Sequence, residues 1–91
     1  MNTEQLEDVV FTFWRENKVA NEFTITGNEF KNNFKAWLEK QDKDWIAYLT
    51  GDALVLQFIT QREGLNSVFD NELETIKKLY QLAKIVILEV M

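Results

Sequence analysis

The sequence predicts an all-α fold, a compact bundle of four to five helices ending in a long C-terminal helix, and three observations carry that prediction. Proline is absent, only three glycines (27, 51 and 64) interrupt the 91 residues, and apolar side chains recur at spacings of three and four. Few breaks make long helices. With 46% hydrophobic and 13% aromatic residues the chain can bury a core, and 91 residues fit a single domain, 1–91.

In "NTEQLEDVVFTFWRENK", Asn2 or Thr3 can cap a helix in which Leu6, Val9, Val10, Phe13 and Trp14 keep helical spacing, so the first helix is expected from about residue 3 to 18. The following "VANEFTI" mixes β-branched and aromatic residues with Asn21, which suits an extended connection able to pair as a strand. Thr26 and Glu29 then form a capping box, and Phe30, Phe34, Trp37 and Leu38 repeat at i, i+4, i+7 and i+8. A second helix is expected over about 27–41. In "DKDWIAYLTG", Asp44 is the expected cap of a short third helix, with Gly51 just past its end.

"DALVLQFITQREG" opens on Asp52 as a cap and closes on Gly64, although Val55, Phe58, Ile59 and Thr60 also favour strands. It is read as a fourth helix. The last segment begins with the Ser67 and Asp70 capping pattern, and Phe69, Leu73, Ile76, Tyr80, Ala83, Ile87 and Val90 follow a heptad seam. The expected core is Phe13, Trp14, Phe30, Phe34, Trp37, Trp45, Phe58, Leu73, Ile76 and Tyr80. The alternative architecture is α+β, with short strands near 22–26, 53–60 and 85–90.

The ending "LAKIVILEVM" asks for a reason. Projected at about 100° per residue, Asp70, Asn71, Glu74, Lys77, Lys78, Gln81, Lys84 and Glu89 share a polar stripe, opposite Leu79, Leu82, Ala83, Val86 and Val90. Ile85 and Leu88 fall inside the polar stripe. Leaving such a side chain in water forgoes roughly 1.5–3 kcal/mol of burial free energy, so a second copy, a different protein or a strand in "IVILEV" should cover it.

Net charge is −5, unevenly spread. Residues 1–29 carry six acids against two bases and 51–74 carry five against one, whereas 30–50 and 75–91 are weakly basic. This balance repels phosphate over most of the surface and argues against nucleic acid as a direct partner. The local exception is the second helix, where Asn28, Lys31, Asn32, Lys35 and Lys40 would suit the reading helix of a helix-turn-helix pair. The acidic zones permit the converse, in which the protein mimics a nucleic acid in the basic groove of a nucleic-acid-handling protein.

Cysteine and histidine are both absent, which removes thiolate and imidazole from any metal site or nucleophilic mechanism. "DKD" at 42–44 lacks the further carboxylates a hard cation needs and reads as a helix junction. The carboxylate pairs Glu7 with Asp8 and Glu72 with Glu74 do not face each other on a helix, so they do not form a hydrolytic pair. Ser67 has no histidine to activate it and reads as a cap. The glycines are too far apart to cradle a phosphate. Trp14, Trp37, Trp45, Tyr48 and Phe58 could line a ligand pocket, but aromatics at helical spacing are core residues first.

No cofactor, metal site or catalytic residue is therefore expected, and the expected function is non-enzymatic: a small acidic regulator or inhibitor that binds another protein and occludes its surface. A phage- or plasmid-borne inhibitor of a host system fits this size and acidity by analogy. The expected contact residues are Tyr80, Ile85, Leu88 and Met91 at the C-terminal end and Glu4, Glu7, Asp8 and Glu22 along an acidic edge. The alternative is a DNA-binding regulator that dimerises through its last helix. "MNTEQLEDVV" lacks the basic and apolar segments of a secretory signal, and "IVIL" is too short to span a bilayer, so a cytoplasmic location without membrane attachment is expected.

Overall fold

Among the described residues, five helices and one antiparallel pair of strands follow each other along the chain: α1 (Thr3–Glu7), β1 (Val10–Arg15), β2 (Asn21–Thr26), α2 (Gly27–Glu39), α3 (Lys43–Tyr48), α4 (Gly51–Glu63) and α5 (Leu73–Val90). The predicted helical bundle with its long last helix is what this computed structural model shows, with a two-stranded sheet added. Residues 3–15, 21–63 and 72–91 are described. Expectations resting on Gly64, Ser67, Phe69, Asp70 and Asn71, and on the side chain of Trp14, lie outside the described residues.

The first expected helix does not run to 18. It ends at Glu7, where the N–H groups of Asp8 and Val9 bond back to the carbonyls of Gln5 and Leu6 at 3.3 and 3.2 Å. "VVFTFW" is built entirely of good strand formers, and its alternation decides the outcome: Phe11 and Phe13 are buried while Thr12 between them is exposed. β1 pairs antiparallel with β2 in the register Val10 with Thr26 through Arg15 with Asn21. The strand expected near 22–26 is present; the segments 53–60 and 85–90 are helical.

Gly27 carries the chain from sheet to helix, its N–H donating to the Val9 carbonyl at 3.0 Å. The Thr26 hydroxyl accepts from the Glu29 N–H at 3.1 Å and reaches the Glu29 carboxylate at 3.0 Å, so the predicted cap is in place. Thr26→Ala should cost about 1 kcal/mol in urea denaturation, and an unchanged midpoint would show that the strand pair alone fixes the start of α2.

Two caps sit two residues earlier than expected. Asp42, not Asp44, opens α3: its carboxylate accepts from the N–H groups of Asp44 and Trp45 at 2.8 and 3.2 Å. Thr50, not Asp52, opens α4, its hydroxyl accepting from the Ala53 N–H at 3.2 Å, so Gly51 begins α4 instead of closing α3. The displaced carboxylates fall in the first turns, where the helix dipole favours negative charge.

α4 is helical despite its β-branched residues because Leu54, Val55, Phe58 and Ile59 bury along one arc. The Thr60 hydroxyl bonds back to the Leu56 carbonyl at 2.9 Å, removing the competition a strand would offer it. The core is a single contiguous cluster. At its centre the Phe58 ring meets Phe30, Phe34 and Trp37 edge-on at centroid distances of 5.6, 5.5 and 5.6 Å.

α5 packs on α1, α2 and α4 through Ile76, Leu79, Leu82, Ala83 and Val86. Of the expected core, Phe13, Phe30, Phe34, Trp37, Phe58 and Ile76 are buried, and Trp45 and Tyr80 are packed against it half-buried. Leu73 is not core; it is 44% exposed. The buried stripe runs through Leu79, and Leu73 lies about 120° around the helix from it, so the heptad seam points slightly away from the true interior.

Candidate functional site

α5 positions the expected C-terminal contact residues, and its rigid, buried side decides which of them face water. Leu88 lies on the side opposite Leu79 and Val86 and is 81% exposed; Met91, one turn on, is 55% exposed. Ile85, one turn before, is half-buried. These three are neighbours at spacings of three and form one apolar patch at the end of the helix. Exposed Lys84 and Glu89 border it, and Glu89 pairs with Lys35 of α2 at 3.2 Å.

Tyr80 is not part of that patch. Its ring lies against the start of α4, so close that a Cβ on Gly51 would overlap it, and the Lys84 ammonium sits 5.1 Å from the ring centroid. This residue joins α5 to α4. On the acidic edge, Glu7 is engaged inside the protein by the Lys31 ammonium at 2.7 Å, while Asp8 is exposed. Glu4 lies in α1 and Glu22 in β2, but their side chains lie outside the described residues.

The polar stripe of α2 does not stand in a helix-turn-helix. The element before α2 is the strand β2, and Lys31 and Lys35 both point at carboxylates of neighbouring helices. Asn28, Asn32 and Lys40 are exposed. Of the described aromatic side chains, Trp37 and Phe58 are buried in the core, Trp45 packs against it half-buried, and Tyr48 is 91% exposed on α3. Among the carboxylate pairs, Glu72 is buried whereas Glu74 is exposed, so the two serve different surroundings. Among the described residues no group of three or more His, Cys, Asp or Glu is placed to hold a metal ion, and no helix is long and apolar enough to cross a membrane.

A second surface feature escaped the sequence reading. Ala53 and Leu56 of α4 and Leu73 and Ile76 of α5 line a half-open apolar pocket of about 180 Å³, to which Asp52 and Lys77 also contribute. Its signal in the sequence is the small Ala53 one turn before Leu56. Only the packing of α4 on α5 turns it into a concavity.

No protein-family model matches the chain, and no curated protein or solved structure is significantly similar to it.

Proposed function

We propose that this protein is a small, acidic, non-enzymatic regulator that binds another protein and blocks part of its surface with the outward end of α5. The observation that supports this is Leu88, 81% exposed between half-buried Ile85 and exposed Met91 on a helix whose other side is locked into the core. A rigid helix presenting apolar residues at three-residue spacing matches the helix-in-groove mode of recognition. Charge sets the choice of partner: at net −5 the chain is drawn to basic surfaces, such as the groove of a nucleic-acid-handling protein, and nucleic acid itself is repelled.

Affinity capture from a native extract tests the reading. Wild type should retain a defined partner that an Ile85→Glu, Leu88→Glu double variant, folded by circular dichroism, releases at least tenfold more readily. Equal capture by both forms would remove the α5 end as the contact. The DNA-binding alternative has less support, because two of the lysines on α2 are already paired with carboxylates; retardation of duplex DNA at low salt would restore it.

A further inference from the structure

The apolar end of α5 and the α4–α5 pocket are complementary in shape and in charge. Leu88 is a projecting leucine, and the pocket lined by Ala53, Leu56, Leu73 and Ile76 has a volume of about 180 Å³. A cavity of roughly 150 Å³ accommodates a benzene-sized apolar molecule, so this one accepts a leucine side chain. The knob carries a cation one turn before it, Lys84, and a carboxylate just after it, Glu89, and at about 100° per residue the two lie on opposite sides of Leu88. The socket's lining carries the matching pair of charges, Asp52 from α4 and Lys77 from α5.

We infer that the chain associates with a second copy of itself by seating Leu88 in the α4–α5 pocket, with Lys84 set against Asp52 and Glu89 against Lys77 of the other copy. This rests on the reading of the α5 end as a contact surface and assigns it an occupant. Among the described residues Lys77 is paired with exposed Glu74 at 3.5 Å and Glu89 with exposed Lys35 at 3.2 Å, while the Lys84 ammonium lies 5.1 Å from the Tyr80 ring centroid. Exposed pairs of this kind exchange at little cost. Knob and socket sit at opposite ends of one helix, so two copies with antiparallel α5 helices seat both knobs at once and close a dimer. A heterologous partner that takes Leu88 then competes with self-association.

Sedimentation velocity of the full chain over a concentration series reads the association. Wild-type mass should rise above that of the monomer, while Leu88→Glu, which lacks the knob, and Ala53→Trp, which fills the socket, each remain monomeric and folded by circular dichroism. Fluorescently labelled Leu88→Glu should bind Ala53→Trp, knob to socket, but not unlabelled Leu88→Glu. A wild type that remains a monomer at about 1 mM, the limit of weak association, overturns the inference. So does undiminished association of Leu88→Glu, or failure of the two folded variants to bind each other. Should Ala53→Trp not fold, Lys77→Glu in the socket's lining should weaken self-association severalfold, and no effect counts against the proposal. Absent self-association together with partner capture that depends on Leu88 would discard the dimer and leave the functional reading standing; Ala53→Trp keeps the knob and should still capture that partner.

Discussion

Replacing Phe58 by alanine should destabilise the protein by about 3–5 kcal/mol, the largest effect expected of any single truncation. The ring is 1% exposed and is the common edge-on neighbour of Phe30, Phe34 and Trp37, so its loss removes three aromatic contacts together and leaves a void between α2 and α4. Backbone collapse into that void is resisted because α5 holds both helices in place. A 91-residue domain has a total stability of about 5–14 kcal/mol, so the variant loses about a fifth of the whole or more. Urea denaturation followed by far-UV circular dichroism measures it. A loss below about 1 kcal/mol would mean that the aromatic cluster is loosely packed and that α4 is held by other contacts.

The second large effect has a sign opposite to what helix propensity predicts. Glycine at the start of a helix is a poor helix former, and Gly→Ala ordinarily gains roughly 0.4–1 kcal/mol where the new methyl fits. At Gly27 it does not fit. A Cβ there would overlap the Leu6 carbonyl oxygen and lie 2.8 Å from the Leu6 carbonyl carbon and 2.9 Å from the Glu7 Cα. Those are backbone atoms, so no side-chain rotation relieves the contact. Either α1 lifts off the start of α2 or the exit from β2 shifts, with loss of the Gly27-to-Val9 hydrogen bond or the Glu7–Lys31 ion pair. Gly27→Ala should therefore cost about 3 kcal/mol, at the upper end of overpacking effects. A variant as stable as wild type would show that α1 is not seated on α2. Gly51 provides the contrast: the atoms a methyl would meet there belong to the Tyr80 ring, which can swing away, so Gly51→Ala should cost less.

What could be read in advance depended on whether the deciding force was local. α2 was legible almost to the residue because the Thr26 cap and the Phe30, Phe34, Trp37, Leu38 stripe act within one segment. β1 was not, because Leu6, Val9, Val10 and Phe13 satisfy a helical period while Phe11, Thr12 and Phe13 satisfy a period of two. The choice is made by pairing with residues 21–26, which no window around β1 contains. The exposure of Leu88 followed from projecting α5 alone. The exposure of Leu73, the seat of Tyr80 on Gly51 and the pocket beside Ala53 depend on how α4 lies along α5, and that is a tertiary fact.

One helix completes the interior for everything that precedes it, since α5 packs on α1, α2 and α4 and follows all of them in sequence. A ribosome adds roughly 5–20 residues each second, so the strand pair and the first four helices emerge with their apolar sides uncovered for several seconds before Leu79, Leu82 and Val86 appear. Until α5 emerges, the sides of α1, α2 and α4 that it covers stay open to chaperones or to sticking.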